Sequence, residues 1–592
     1  MTVAEIAAET LIAGTPERTA CEWDSLPNEL FNFWTIGNVS EVIPGVLRPL
    51  SATLYRTMDY LGTKKLARDL DSQDLLPSQP PPIGNFISNF GGRAVLNLAW
   101  ANAIIGLWQT GEGSDLMGQF ITSTDGQDIA SGQAADLERA ARTFAKIRRI
   151  WGQLPHMVQT DRVRLERLRR RERERALGAR SDRQLWRHVQ SLVRDINCYA
   201  HHLFVSGAAG EYAQWLGKLL DHELPDHDPA LIVGLTSALR GVESARPGKG
   251  AWDVAQFVRR HNALAEEVEH LAPHTIAAKL REPRGAGWKA FAERFDAFIA
   301  EFGFRGQREA DPSAADWEEE PAFAISAIKA FLHAGKEHDP YRLEEAAATR
   351  REAVEADVRR QLPRAALAEF NRLLAGSQRF ARLREASKAN WVRSLRPVRA
   401  PLLELARRFT AGGLIAEPDD FWYLLADEVE RAVQGRLDTA EARASVRRRR
   451  AVRERLEQYT LPEVFSTPVE LLPLQPVTAP LTADGVLNGM PVSAGKASGK
   501  ARVVLSAEAA EEVELEPGEV LVAPYTDAPW TPLFVAAAAV VVETGGLLSH
   551  AATVAREFGI PAVVAVKGAT RLIKTGQLVS VDGDSGQVTI AG

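Results

Sequence analysis

The hydrophobic pattern of this chain changes its period near residue 470, and this change is the feature that most limits the possible fold. Before it, apolar residues recur every three or four positions in stretches rich in Ala, Leu, Arg and Glu, as at 136–154 and 342–362, which predicts helices. After it, the β-branched segments ARVVL, EVLVAP, AVVVET, PAVVAV and QLVSVDG are separated by Gly, Pro and Asp, which predicts strands and turns. The predicted fold class is therefore multidomain, with a large mainly α-helical domain followed by a small domain of strands and helices.

The 592 residues are enough for several domains. We expect an N-terminal tail at 1–20, the helical domain at 21–470, a tether at 471–485 and the small domain at 486–592. The tether sequence LLPLQPVTAPLTADG is rich in Pro and has no periodicity, which favours an extended, fairly stiff segment.

The formal net charge is −6, with 71 Lys and Arg residues against 77 Asp and Glu residues, which argues against a protein built around nucleic-acid binding. Arginine-rich runs at 162–183 and 443–457 contain interleaved glutamates, so we interpret them as solvated helix faces. The two cysteines, Cys21 and Cys198, cannot form a disulfide framework or a Cys-rich metal site, and no metal site is predicted. Neither a secretory signal nor a membrane-length apolar run is visible, so we expect a cytoplasmic protein.

The segment GKASGK at 495–500 superficially resembles a phosphate-binding loop, but its spacing is wrong. A Walker A loop has a Gly separated by four residues from the Gly-Lys pair, and a Ser or Thr after the Lys. Here the corresponding residues are Met490 and Ala497 for the first pair, and Ala494 and Ala501 for the second. We therefore expect this chain to bind no nucleotide cofactor itself.

The strongest local signal is AVVVETGGLLSHAATVAREFGIPAVVAV at 539–566. A buried strand is predicted to end at Glu543–Thr544, and the two glycines that follow permit a tight turn. Ser549 is a typical N-cap, which places His550 in the first turn of a helix that ends before Gly559.

An imidazole at a helix N-terminus is disfavoured as imidazolium, whereas an added anion is stabilised there. His550 is therefore the candidate catalytic nucleophile, which would become phosphohistidine. Gly546, Ser549 and Ala551 are the candidate phosphoryl-binding residues around it. From the pattern alone, a histidine that merely begins a helix remains the alternative.

This segment resembles the phosphohistidine signature of the dikinase-type, phosphoenolpyruvate-utilising phosphotransferases, which include phosphoenolpyruvate synthase, pyruvate phosphate dikinase and rifampicin phosphotransferase. GMPVSAGKASGKARVV at 489–504 and VLVAPYTDAPWTPLF at 520–534 resemble the opening and the middle of their histidine domain. Leu548 stands where the pyruvate dikinases have Thr and where the rifampicin branch has an apolar residue. The resemblance implies that the small domain is a β/β/α swivelling phosphohistidine domain.

The front of the chain is similar to the acceptor-binding domain of the rifampicin branch. The resemblance implies that Arg384 and Lys388 are catalytic, because they would bind the transferring phosphoryl group from one helix face. It implies acceptor-binding roles for Arg305, Glu309 and Arg93. Solvated cations and a structural ion pair are the respective alternatives. The matching segments are NVSEVIPGVLRPLS at 38–51, GGRAVLNL at 91–98, FGFRGQREADPSAADWEEEP at 302–321, in which Phe304 replaces the family's His, LREASKANWVR at 383–393 and DDFWYLLADEV at 419–429.

The ATP-grasp domain that precedes these domains in the single-chain enzymes is not recognisable in the sequence. The resemblance therefore implies the large subunit of a two-component system, similar to phenylphosphate synthase and to cresol-phosphorylating systems. A separate ATP-grasp subunit would bind ATP and Mg²⁺ and phosphorylate His550, which would pass the group to a phenolic or other hydrophobic hydroxyl acceptor.

Two other functions stay open at this point. The chain could be a phosphohistidine carrier charged by phosphoenolpyruvate, or a non-catalytic hydrophobic-ligand binding protein with a vestigial histidine domain. A general base for the acceptor hydroxyl is not identified. His201 and His202, in the helical stretch CYAHHLFV, include a possible base, but a histidine satisfied by its neighbours is the more common case.

Overall fold

The computed structural model describes residues 21–37, 39–107, 137–174, 177–228, 230–473, 485–505, 515–526, 530–546 and 549–590. The expected tail at 1–20, most of the expected tether and Leu548 lie outside these residues.

Helices dominate the described part of the chain up to residue 456. The two helices predicted at 136–154 and 342–362 are confirmed, although the first one continues for twenty residues beyond its predicted end. Side-chain caps fix several helix starts, as where Asp339 accepts a hydrogen bond from the backbone N–H of Tyr341 at 2.9 Å. The α-helices are Val39–Val42, Pro49–Asp69, Leu98–Gly106, Leu137–Glu174, Asp182–Val193, Asn197–Glu223, Ala230–Thr236, Arg246–Arg259, Asn262–His270, Pro273–Arg281, Ala286–Phe302, Ala322–His333, Pro340–Gln361, Leu367–Ala411, Ala426–Val433, Thr439–Leu456, Thr531–Ala536, His550–Phe558 and Ala569–Leu572. Short 3₁₀ helices are Leu177–Ala179, Glu243–Ala245, Lys336–His338 and Pro418–Tyr423.

A small antiparallel sheet lies within the mainly helical region, where the sequence pattern predicted mostly helices and no particular strand. Its strands are ordered Ile87–Phe90, Arg93–Asn97, Trp34–Thr35 and Val464–Phe465. Trp34 pairs with both Asn97 and Phe465, so this sheet joins chain segments more than 360 residues apart. A separate two-stranded ribbon consists of Tyr459–Thr460 and Leu472–Pro473.

The C-terminal domain is built on an eight-stranded sheet. Four neighbouring strands are parallel, including the three that follow one another from 520 to 564. All five strands predicted from β-branched segments are present, and three further strands join them at 486–488, 490–493 and 587–590. In spatial order the strands are Val486–Asn488, Gln587–Ile590, Leu578–Asp582, Lys496–Val503, Val520–Ala523, Ala539–Val542, Ala562–Val564 and Met490–Ser493.

The two faces of this sheet bury different apolar clusters, because successive strand residues point to opposite sides. Val520 and Val522 belong to a cluster that lies within the small domain. Leu521 and Ala523 belong to a larger cluster that also contains Phe558 of the helix carrying His550. That larger cluster continues into the helices between residues 245 and 334. The small domain is therefore packed against a part of the helical region.

By packing, the chain divides into two compact units. The first comprises residues 1–207, 310–313 and 387–475, and the second comprises 208–309, 314–386 and 476–592. A large mainly helical region followed by a small β/α domain is the fold class that the sequence predicted. Each unit combines segments that are far apart in the sequence, whereas the predicted domains are continuous ranges. The predicted domain boundaries therefore stay predictions.

No helix in the described part of the chain combines the length and the apolar character that crossing a membrane requires.

Candidate functional site

The backbone around His550 has the predicted form. The strand Ala539–Val542 is followed by Gly545 with φ of 131°, a conformation that favours glycine. The helix begins at His550 and ends at Phe558. Gly559 ends it in the left-handed conformation with φ of 64°.

Ser549 is the N-cap of this helix, as predicted. Its hydroxyl oxygen accepts a hydrogen bond from the N–H of Ala552 at 3.1 Å, and its carbonyl accepts one from the N–H of Thr553 at 3.0 Å. Its own N–H donates to the carbonyl of Gly546 at 3.0 Å. Because the amides of Ala552 and Thr553 already have partners, an anion at this helix start would use earlier amides, including that of Ala551. The phosphoryl-binding roles of Gly546, Ser549 and Ala551 stay predictions.

The imidazole of His550 is buried, with 6% of its surface exposed. Its Nε2 lies 3.3 Å from the hydroxyl oxygen of Thr531, and that hydroxyl donates to the carbonyl oxygen of Ser244 at 3.0 Å. The ring of Phe534 meets the imidazole edge-on, with centroids 6.2 Å apart. Thr531 and Phe534 belong to the small domain, whereas Ser244 belongs to the helical region. All four residues lie in the second unit.

These contacts favour one tautomer of the neutral imidazole, the one that applies while the hydroxyl of Thr531 donates to Ser244. A hydroxyl has one proton, and a carbonyl oxygen can only accept, so Thr531 donates to Ser244 and accepts from the histidine. Nε2 therefore carries the ring proton, and the lone pair is on Nδ1. In this arrangement Nε2 is not nucleophilic, and it becomes so only after the contact with Thr531 changes.

The segment after Ser244 is closely fitted to the small domain. A Cβ atom added to Gly248 would lie 3.3 Å from Cγ2 of Thr531 and 3.6 Å from Cγ2 of Val535. Nδ1 of His338 lies 3.0 Å from the carbonyl oxygen of Val535. The helix Thr531–Ala536 is thus held on two sides by the helical region.

Charged side chains surround the other end of the histidine helix. Burial, together with the nearby cation of Arg384, lowers the pKa of Arg556 to about 10. Burial likewise raises the pKa of Glu557 to about 8, although the backbone N–H of Leu239 favours its charged form. Arg384, predicted to bind the phosphoryl group, therefore lies electrostatically close to this helix, and its guanidinium pairs with Glu385 at 3.2 Å.

The other predicted site residues lie in different surroundings. Lys388 is half-buried one helical turn after Arg384, in the helix Leu367–Ala411. Arg305 and Glu309 form an ion pair at 2.8 Å with both side chains almost completely buried, and the guanidinium lies 4.7 Å from the ring centroid of Phe304.

Arg93 binds three backbone carbonyl oxygens, those of Gly91, Leu456 and Tyr459. Burial lowers its pKa to about 10. These contacts are structural in kind, as is the Arg305–Glu309 ion pair. The acceptor-binding roles of Arg93, Arg305 and Glu309, and the catalytic roles of Arg384 and Lys388, stay predictions.

Sequence reasoning did not single out Thr531 or Ser244. Thr531 lies within the segment 520–534, whose resemblance to the family was visible, so the signal was present but was not assigned to one residue. Ser244 contributes a backbone carbonyl, which leaves no signature in the side-chain sequence. Among the described residues, no group of three or more His, Cys, Asp or Glu side chains could hold a metal ion.

Comparison with known protein families identifies two regions of the chain. Residues 201–385 match the model described as the rifampicin phosphotransferase fourth domain. Residues 515–586 match the mobile domain of PEP-utilising enzymes. The second region contains both His550 and Thr531.

Several curated proteins are similar over longer stretches. The rifampicin phosphotransferase of Bacillus cereus is 28% identical over 384 residues, which are 64% of this chain and 43% of that protein. The prodigiosin synthesizing transferase PigC of Serratia marcescens is 33% identical over 353 residues, 58% of this chain and 38% of that protein. An uncharacterised protein of Mycobacterium tuberculosis is 42% identical over 219 residues, 37% of this chain and 24% of that protein.

The chain thus spans less than half the length of each of these three relatives. The two family matches nevertheless lie in the regions where the motifs occur, one in the helical region and one in the histidine domain. They confirm that this chain resembles the dikinase-type, PEP-utilising phosphotransferases.

Proposed function

We propose that this chain is a phosphotransferase in which His550 carries a phosphoryl group from a nucleotide to an acceptor hydroxyl. The observation that supports it best is the position of His550, the first residue of a Ser-capped helix within the match to the PEP-utilising mobile domain. An anion formed on that ring would lie at the positive end of a helix dipole.

The donor in this proposal is ATP with Mg²⁺, bound by a separate ATP-grasp protein. The lone pair of Nε2 attacks phosphorus, and the bond from phosphorus to the nucleotide oxygen breaks. The ring proton has by then moved to Nδ1, and it leaves from there to solvent or a neighbouring base, so the phosphohistidine ring is neutral. By analogy with the dikinase mechanism, the phosphorus attacked is the β-phosphorus of ATP, so AMP leaves and the ring carries a pyrophosphoryl group, from which water then removes the terminal phosphate. Before this step the imidazole must leave the Thr531–Ser244 contact, because Nε2 carries a proton there.

The acceptor in this proposal is a phenol or another hydrophobic alcohol. Its oxygen attacks the phosphorus of phosphohistidine, the N–P bond breaks, and the electron pair returns to Nε2. Phosphoryl transfer mainly requires alignment and positive charge around the transferring oxygens. Arg384 and Lys388 would supply that charge, since they are one turn apart on one helix.

The test is intact-mass analysis after incubation with ATP, Mg²⁺ and a separately purified ATP-grasp protein. We expect an acid-labile adduct of one phosphate, mapped to His550, and its loss when a phenol or cresol is added. His550→Ala should abolish the adduct, whereas His222→Ala should not, because the side chain of His222 is 83% exposed and far along the sequence. An unmodified His550 during turnover would refute the proposal.

The identity of the phosphoryl donor needs a separate experiment, because the matching family model is named for PEP-utilising enzymes. Phosphoenolpyruvate replaces ATP in this experiment, with and without the ATP-grasp protein. Phosphorylation of His550 by phosphoenolpyruvate alone would favour the carrier function. A chain that binds phenols but is never phosphorylated would favour the non-catalytic binding function.

A further inference from the structure

Two adjacent histidines of the helix Asn197–Glu223 have different environments. Nδ1 of His201 lies 2.6 Å from Oδ2 of Asp161, a carboxylate that is almost completely buried. His201 is therefore held in an ion pair or a charge-assisted hydrogen bond, as expected for a structural histidine. Nδ1 of His202 instead lies 3.0 Å from the hydroxyl oxygen of Ser387.

The ring of His202 is fixed on two sides by one face of the helix Leu367–Ala411. Ser387 and Trp391 are four residues apart, so they share that face. The imidazole stacks on the indole of Trp391 with centroids 5.9 Å apart and planes at 14°. Ser387 and Trp391 are buried, at 2% and 4% exposure, whereas His202 is half-buried. A base oriented by a second polar group is the arrangement that acid–base catalysis requires.

The position of this histidine links it to phosphoryl transfer. Ser387 immediately precedes Lys388. The family resemblance implies that Lys388 is one of two residues that bind the transferring phosphoryl group. Lys388 is also three residues before Trp391, so these two residues are neighbours on the surface of the helix. His202 and Lys388 are both in the first unit.

The surroundings of His202 suit a planar hydroxyl compound. The ring of Tyr199 lies 5.7 Å from that of Trp391, and its hydroxyl donates to Asp59 at 2.8 Å. Tyr55, which interacts electrostatically with Tyr199, is buried at 6% exposure. Within the described part of the chain, neither the hydroxyl of Tyr55 nor the indole N–H of Trp391 has a hydrogen-bond partner. Buried donors of this kind are usually satisfied, and oxygen atoms of an acceptor would satisfy them.

We propose that His202 is the general base of the acceptor half-reaction, and this inference rests on the proposed function. In the tautomer that serves this role, Nδ1–H of His202 donates to the hydroxyl oxygen of Ser387. The lone pair is then on Nε2. Nε2 takes the proton of the acceptor hydroxyl as the acceptor oxygen bonds to phosphorus, and the N–P bond to His550 breaks.

The test separates the two half-reactions. Wild-type and His202→Gln proteins are first phosphorylated at His550, freed of nucleotide and then mixed with phenol in single-turnover experiments. We expect similar phosphorylation of both proteins, but about 100-fold to 10,000-fold slower transfer by the variant, the usual contribution of a general base. Ser387→Ala should show a smaller loss, because it removes only the orienting contact. His222→Gln is the matched control and should transfer normally.

A second acceptor distinguishes a base from a merely structural residue. 4-Nitrophenol is more acidic than phenol and needs less help to lose its proton, so the deficit of His202→Gln should shrink strongly with it. An equal deficit for both phenols, or no deficit with phenol, would overturn the assignment of His202. If phosphorylated wild-type protein transfers to neither phenol, the acceptor class is wrong. Failure to phosphorylate His550 at all refutes the proposed function instead.

Discussion

Nε2 of His550 lies 3.3 Å from the hydroxyl oxygen of Thr531. Because Thr531 also donates to the carbonyl of Ser244, this pair connects the ring of the small domain to the backbone of the helical region. The imidazole is buried at this contact, and while Thr531 donates to Ser244 the ring proton is on Nε2. Reactivity of His550 should therefore depend on residues that never touch a substrate.

Replacement of the Thr531 hydroxyl should make His550 more reactive. Thr531→Val leaves the buried carbonyl of Ser244 without this donor, at a cost of about 1–3 kcal/mol to the packed arrangement. We expect faster modification of His550 by diethyl pyrocarbonate, measured by peptide mass spectrometry against the exposed His222 as internal reference. Thr531→Ser keeps the hydroxyl and should behave as wild type. Equal rates for the Val and Ser variants would contradict this role of the hydroxyl.

A larger side chain at Gly248 should also make His550 more reactive. Gly248 belongs to the helical region that packs against Thr531. The space beside Gly248 is already limited by Cγ2 of Thr531, 3.3 Å from an added Cβ. Gly248→Leu should disfavour the packed arrangement by about 1–3 kcal/mol, the usual cost of overpacking. We expect increased labelling of His550, with the far-ultraviolet circular dichroism spectrum retained. The matched control is Gly178→Leu, because no described residue other than its chain neighbours has an atom within 4 Å of an added Cβ there.

Removal of the helix cap should weaken the phosphohistidine site. Ser549→Ala loses the hydrogen bond to the N–H of Ala552, at a cost of about 0.5–2 kcal/mol. We expect a lower midpoint of thermal unfolding and a less stable phosphohistidine, since the cap orients the first turn. Ser549→Asp would restore the cap but add negative charge, so it should recover the unfolding midpoint without recovering the stability of the phosphohistidine. Recovery of both by Asp would argue against an anion at this position.

Loss of positive charge on the helix Leu367–Ala411 should slow phosphoryl transfer to the acceptor. Arg384→Gln and Lys388→Met remove the two cations that the family resemblance assigns to the transferring group. We expect about 100-fold to 1,000-fold slower transfer from phosphohistidine, as for other residues that stabilise transition-state charge. Single-turnover quench measurements would check this, with the exposed Arg360→Gln as control. Unchanged transfer in both variants would remove these residues from the site.

Glu557 should make stability fall as the solution becomes more alkaline. Burial raises its folded-state pKa from 4.5 to about 8, so the folded state holds a proton that the unfolded state releases. Its contribution to stability is therefore complete below about pH 4.5 and is lost as the pH rises towards 8. The groups acting on it include Arg556, Glu344 and Glu385.

Glu557→Gln should remove this dependence. The free energy of unfolding, measured by denaturant titration at pH 6, 7 and 8, should decline less steeply in the variant than in the wild type. Glu345→Gln is a suitable control, because Glu345 is an exposed carboxylate whose pKa is lowered by Arg240. Identical slopes for wild type and Glu557→Gln would show that the raised pKa has no consequence for stability.

Several elements were predictable because their signals are local in the chain. The Ser549 cap, the helix from His550 to Phe558 and the left-handed Gly559 follow from short-range rules of helix initiation and termination. The strand at 539–542 followed from its β-branched run. In contrast, the strand Trp34–Thr35 is only two residues long, and its partners are distant in sequence. No periodicity can reveal such a strand, so the small sheet in the helical region was missed.

The amino-acid sequence by itself determined which imidazole lies at a helix start, where the helical pattern gives way to strands, and which family the motifs resemble. These properties depend on residues close together in the chain. Only the tertiary structure decided that Nε2 of His550 faces Thr531 and Ser244, that His201 binds Asp161, and that His202 is oriented by Ser387. Those contacts join positions between 19 and 287 residues apart. Packing of distant segments sets such contacts, and no local pattern encodes which side chains will meet.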